Sequence, residues 1–188
     1  MGIHFGVDYY PEHWQRDRWE TDAELMKEMG LTVVRMAEFS WHKLEPQEGK
    51  YDFAWLDDAI DLLGRCGIRT IVGTPTAAPP AWMANRYPEI LPVDREGRVR
   101  GFGGRHHDCQ SNAVYRGFVR KIVTAMAVHY KDNPNVIGWQ PDNELGNSHH
   151  DLCMCESCRK NFQGWLEKKY GTVDRLNEAW GNAFWSQE

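Results

Sequence analysis

The chain contains no run of Lys or Arg and carries a net charge of −5. It therefore offers no basic surface for nucleic acid or an anionic membrane. No apolar stretch approaches the roughly 20 residues needed to cross a bilayer. The N-terminus passes directly into a strand-like alternation, without the basic and apolar regions of an export signal. Gly2 is not followed by Ser or Thr at position 6, so the myristoylation pattern fails as well. The expectation is a soluble, cytoplasmic protein with neither a nucleic-acid nor a membrane partner. A glycine-rich phosphate turn after the first strand is also missing, which removes the main argument for a doubly wound, nucleotide-binding sheet.

With 188 residues the chain can hold one domain with a sizeable core. Its 9 tryptophans stand out, because such rings either fill cores or stack on the apolar faces of sugars. Ile3 to Val7 alternates like a strand and leads into a loop of rings and carboxylates, Asp8 to Trp14. Trp19, Ala23, Leu25, Met26 and Met29 then suggest one helical face, stopped by Gly30. Leu31 to Met36 reads as the next strand. Leu56, Ala59, Ile60 and Leu63 follow at helical spacing, with Asp57 and Asp58 in the first turn. Ile68 to Val72 is a third strand, and Phe118, Ile122, Ala125 and His129 predict the face of a third helix.

Between them, residues 75–111 form a long connection without strong periodicity, but with Trp82, Tyr87 and Phe102 in it. A connection of that length is functional or disordered, and the rings weigh against disorder. The fourth strand is Val136 to Gln140, bounded by Pro134 and Pro141, with Asn143 and Glu144 just past its end. Phe162, Trp165 and Leu166 belong to a fourth helix, and Thr172 caps a fifth that runs to Trp180 and closes at Gly181.

Four successive βα units call for a parallel sheet. Long loops at the strand carboxyl ends favour a (β/α)8 TIM barrel, an α/β fold of which only about the first four units are present. A complete barrel needs roughly 200 residues or more. Residues 1–188 are accordingly expected to be the N-terminal part of a larger catalytic domain, truncated. In such barrels the strand carboxyl ends converge on one mouth, which places Glu144 to act on a ligand; by itself, an Asn-Glu pair is also compatible with an ordinary loop.

Cys153, Cys155 and Cys158 lie within six positions, with Cys109 distant in sequence. Three such close thiols cannot all pair with one remote partner. A tetrahedral zinc ion held by all four accounts for them, and a closed set of four ligands makes it structural. Free thiols, or a site borrowing His106, His107, His149 or His150, are the alternatives. Cys66 reads as a small core residue.

The stretches 8–14, 35–41, 73–82 and 140–144, read in order (DYYPEHW, RMAEFSW, GTPTAAPPAW and QPDNE), resemble glycoside hydrolase family 42. These are retaining β-galactosidases with a (β/α)8 catalytic domain, a second domain involved in trimer formation and a small β domain. The resemblance implies Glu144 as general acid/base and Asn143 as the residue binding the galactose 2-hydroxyl. It also implies Arg105 as a substrate-binding arginine, Trp185 as an aromatic wall of the sugar subsite, and Cys109, Cys153, Cys155 and Cys158 as zinc ligands. The implied substrate is a β-galactoside oligosaccharide, and the implied parent a homotrimer. Retaining hydrolysis needs a second carboxylate. The family takes that nucleophile from a later strand, beyond position 188, and Glu12, Glu38 and Glu178 do not match it. The chain alone is therefore expected to be inactive. A non-catalytic zinc-binding module, or a barrel glycosidase for another sugar, are the competing readings.

Overall fold

A computed structural model describes residues 3–144 and 152–182. Four parallel strands, β1 (Gly6–Asp8), β2 (Val33–Met36), β3 (Arg69–Gly73) and β4 (Val136–Gln140), lie side by side in sequence order. Helices α1 (Arg18–Glu28), α2 (Trp41–Leu44), α3 (Ala54–Arg65), α4 (Ala81–Arg86) and α5 (Ala113–Tyr130) fill the connections, and α6 (Glu156–Tyr170) and α7 (Val173–Trp180) follow β4. Val7 pairs with Val34 and Val34 with Thr70, so this row faces the helices. Asp8, Arg35 and Ile71 form the adjacent row and face the opposite side.

The core lies between the helix-facing side of the sheet and helices α1, α3 and α5. On α3 the sequence period holds: Leu56, Ala59, Ile60 and Leu63 are all buried, joined by Leu62. On α1 only Trp19, Ala23 and Met26 are buried, whereas Leu25 and Met29 are 47% and 66% exposed. The seam is narrower than the apolar composition of that helix suggests, and Gly30 ends it with φ at 80°. Helix α5 is rotated relative to the expected face, burying Tyr115, Phe118, Ile122, Met126 and Tyr130. Ala125 is half-buried, and His129 is on the surface, 2.9 Å from Asp57 of α3. The two candidate stripes overlap, and the bulkier Met126 and Tyr130 fill more of the space against the sheet.

The first strand is shorter than its alternation suggests, with Ile3 almost fully exposed. The connection over 75–111 is anchored to the body: Met83 and Ile90 are fully buried, and Val93 bridges to Val99. Trp82 Nε1 donates to the Glu45 carbonyl at 2.9 Å. Thr172 accepts from the Arg175 N–H as the cap of α7, and Gly181 closes that helix in the left-handed conformation. The fourth expected helix is present as α6, but Phe162 and Trp165 stack on each other at an exposed face instead of being covered. Among the described residues no helix is long and apolar enough to cross a membrane.

Candidate active site and metal centre

The strand carboxyl ends bring polar groups to one mouth. After β2, Ala37 takes a positive φ of 82° and turns Glu38 into full burial. Glu38 Oε1 accepts from the Tyr10 hydroxyl at 2.8 Å and lies 2.9 Å from Arg35 Nη2, which also reaches Asp8. Gly73 at the end of β3 permits this approach, since a Cβ there would lie 2.6 Å from Glu38 Cβ.

Beyond β3 and β4 the two chains stay together, with the Thr74 N–H donating to the Gln140 carbonyl at 2.9 Å. The Asp142 N–H donates to Thr74 Oγ1 at 2.7 Å, and Thr76 Oγ1 donates to Asp142 Oδ2 at 2.9 Å. Asp142 Oδ1 accepts the Asn143 N–H at 2.6 Å. Asp142 and Glu144 both occupy the left-handed region, with φ of 58° and 47°. Asn143, between them, is 6% exposed. Its Oδ1 accepts from Gln140 Nε2 at 3.2 Å, and its Nδ2 has no acceptor among the described residues. The Glu144 side chain is 51% exposed and lies 2.8 Å from Arg105 Nη2.

Arg105 comes from the long connection and sits over the Phe39 ring at 5.9 Å, itself stacked with Tyr10. The next residue, His106, has φ at 54° and donates its N–H to the Ala77 carbonyl at 2.7 Å. Behind the mouth, Asp108 is pushed up to about 7, by burial first and by the charge of Asp142 second. Burial lowers the pKa of His107, whose Nε2 pairs with the Pro79 carbonyl at 3.1 Å.

The structure thus brings Arg105, Asn143 and Glu144 together, while Trp185 lies outside the described residues. It adds Thr74, Thr76 and Asp142, which have no role in the sequence reading. Thr74, Thr76 and Asp142 fall inside recognisable motifs, but nothing in the linear pattern pairs one motif with the other.

Cys109, Cys153, Cys155 and Cys158 converge, with all four Sγ atoms within 4.8 Å of one another. Cys109 Sγ lies 3.4 Å from both Cys155 and Cys158, and none is in a disulfide. A tetrahedral ion with metal–sulfur bonds of about 2.3 Å would separate the sulfurs by about 3.8 Å, so the four thiols suit a metal ion. Backbone and side-chain bonds hold the segments in place: Met154 N–H to Val93 carbonyl at 2.8 Å, and Asn161 Nδ2 to Ser111 carbonyl at 2.8 Å. Neither His106 nor His107 joins this group, and His149 and His150 lie outside the described residues. Cys66 is apart from it, partly buried against the core at the end of α3.

Polar groups gathered at the carboxyl ends of successive parallel strands define the mouth of a (β/α)8-type barrel, of which four βα units are seen here. The family described as Beta-galactosidase matches residues 8–188, and the chain belongs to that family, glycoside hydrolase family 42. It is 54% identical over 182 residues to a β-galactosidase of Thermus thermophilus, covering 97% of this chain and 28% of that protein. The β-galactosidase structure from the psychrophilic Marinomonas ef1 superposes with a TM-score of 0.94 at 46% identity, covering 98% of this chain and 28% of that one. The structure from the Antarctic haloarchaeon Halorubrum lacusprofundi does so with 0.94 at 48% identity, over 99% and 28%. The chain spans about 28% of the length of these relatives.

Proposed function

We propose that the full-length protein is a retaining β-galactosidase that removes terminal non-reducing β-D-galactosyl residues from oligosaccharides. Residues 1–188 form the N-terminal part of its (β/α)8 catalytic domain. The observation that carries this reading is Glu144, half-exposed just past β4 with Arg105 at 2.8 Å and Asn143 beside it, in a chain of this family.

In this mechanism Glu144 is the general acid/base. A nucleophilic Glu from beyond position 188 attacks the anomeric carbon while Glu144 gives its proton to the glycosidic oxygen. The C1–O bond breaks and the aglycone leaves as an alcohol. Glu144, now a carboxylate, takes a proton from water as that water attacks C1, releasing galactose and restoring the nucleophile. Arg105, 2.8 Å from Glu144, stands where it can also reach a sugar hydroxyl at the same mouth. The Asn143 Nδ2, which has no acceptor among the described residues, suits the galactose 2-hydroxyl, and Trp185 is assigned to the wall of the sugar subsite.

Cys109, Cys153, Cys155 and Cys158 would hold a structural zinc ion, since four thiolates leave no open position for substrate. When bound, it supplies a cross-link between the loops that precede α5 and α6. A cytoplasmic homotrimer completes the reading.

The test is hydrolysis of a nitrophenyl β-galactoside by this chain beside the full-length protein, with Glu144→Ala assayed on lactose. Activity only at full length is expected, with a loss of about 10²–10⁴-fold on lactose for Glu144→Ala. Full lactose activity in that variant would refute the assignment. Activity in neither protein, with metal bound and a folded spectrum, would favour a non-catalytic module.

A further inference from the structure

Asp142 precedes the Asn143-Glu144 pair and is far more buried than Glu144, yet among the described residues it has no cationic partner. Its carboxylate is taken up by local bonds. Oδ2 accepts from the Thr76 hydroxyl at 2.9 Å, Oδ1 accepts from the Asn143 N–H at 2.6 Å, and its own N–H donates to Thr74 Oγ1 at 2.7 Å. These bonds tie the end of β4 to the end of β3. They also bracket a backbone with positive φ at both Asp142 and Glu144, a conformation that Asp tolerates and that is uncommon for Glu. An extended backbone at the same point would carry Glu144 away from Arg105.

We propose that Asp142 is a positioning residue for the reaction: clamped by Thr74 and Thr76, its carboxylate fixes the left-handed turn that aims Asn143 and Glu144 into the mouth. The inference rests on the acid/base role of Glu144 proposed above. It assigns the Thr-Pro-Thr segment after β3 to the same task, as the fixed side of the clamp.

The geometry predicts which replacements succeed. Asn at 142 tolerates the left-handed backbone. Its Oδ1 can accept the Asn143 N–H, and its Nδ2 can donate to Thr76 Oγ1. The displaced Thr76 hydroxyl hydrogen then has Thr74 Oγ1 at 3.4 Å as a substitute acceptor. Gly permits the backbone and keeps the N–H bond to Thr74 Oγ1 but removes the carboxylate bonds to Thr76 and the Asn143 N–H, so Asp142→Gly separates the two contributions.

The experiment measures kcat/KM of the full-length enzyme on lactose and on a dinitrophenyl β-galactoside, whose leaving group departs without a proton. In kcat/KM, which covers only the steps through glycosylation, a misplaced acid penalises only the first substrate; the lost base catalysis of the second step falls on the kcat of both. Asp142→Gly is expected to lower lactose hydrolysis by about a hundredfold, the cost of roughly an ångström of misplacement. The activated substrate should keep most of its kcat/KM, and Asp142→Asn should stay close to the parent on both. If Asp142→Gly does not fold, Thr76→Val carries the same test with a smaller selective loss. Equal losses on the two substrates, an Asn variant as impaired as the Gly variant, or no loss at all would overturn the proposal. Glu144→Ala, run in parallel, separates the two levels. A Glu144→Ala enzyme that still hydrolyses lactose removes the acid/base reading itself. A Glu144→Ala enzyme with the leaving-group signature, beside an Asp142→Gly enzyme without it, removes only the positioning role.

Discussion

The four-cysteine cluster makes the most exposed prediction. Its sulfurs lie within 4.8 Å of one another, with two pairs at 3.4 Å. A zinc tetrahedron with edges of about 3.8 Å needs only small side-chain shifts from that arrangement. The cluster joins the loop that precedes α5 to the start of α6, where Cys155 caps the helix. An ion bound by the folded chain alone, at a free concentration 100 times its dissociation constant, would stabilise the fold by about 2.7 kcal/mol. For a chain of this size that corresponds to a melting temperature about 5–10 °C higher. Protein purified from zinc-supplemented medium should hold one ion per chain by elemental analysis, and chelation should produce that fall. Of the 5 cysteines, only Cys66 should react with a thiol reagent before chelation, and all five after chelation and unfolding. Cys155→Ser and Cys158→Ser should each lose the ion. A protein without stoichiometric metal, or one whose melting temperature ignores chelation, would refute the reasoning.

Two further replacements test the scaffold that shapes the mouth. Gly73→Ala places a Cβ 2.6 Å from Glu38 Cβ and 2.9 Å from its backbone; a destabilisation of about 1–3 kcal/mol is expected in urea unfolding, and an unchanged midpoint would show that the β2 and β3 ends can separate freely. Asn112 accepts from the Val114 and Tyr115 N–H groups and donates to the Glu89 carbonyl. Asn112→Ala should therefore cost about 1–2 kcal/mol by the same measurement, and Asn112→Asp, which keeps the acceptor but sets a carboxylate oxygen against the Glu89 carbonyl, should recover only part of it.

Much of the architecture is legible in the linear pattern. The four strands appear in the expected order, and α3 buries the residues its period marks, because a helix between a sheet and solvent must turn its apolar stripe inward. Thr172 and Gly181 bound α7 as their local chemistry requires. Elements whose apolar residues exceed the available surface are less legible. On α1 Leu25 and Met29 are left outside, and on α5 the face rotates to take in Met126 and Tyr130. Which of two overlapping stripes is buried depends on the shape of the opposing sheet, which no local window contains.

The site divides in the same way. By itself the sequence determined that Glu144 stands just past a strand end with Asn143 beside it, and that three cysteines are too close together to be paired off with the fourth. Those are short-range facts, set by residue type and spacing. Only the tertiary structure decided that Arg105 meets Glu144 and that Thr74 and Thr76 hold Asp142, whereas the expected grouping of Cys109 with the other three thiols is seen in it. Each of these contacts joins segments remote in the chain. Their meeting depends on the parallel register of β3 with β4 and on the path of the connection over 75–111, both fixed by packing of the whole sheet against its helices.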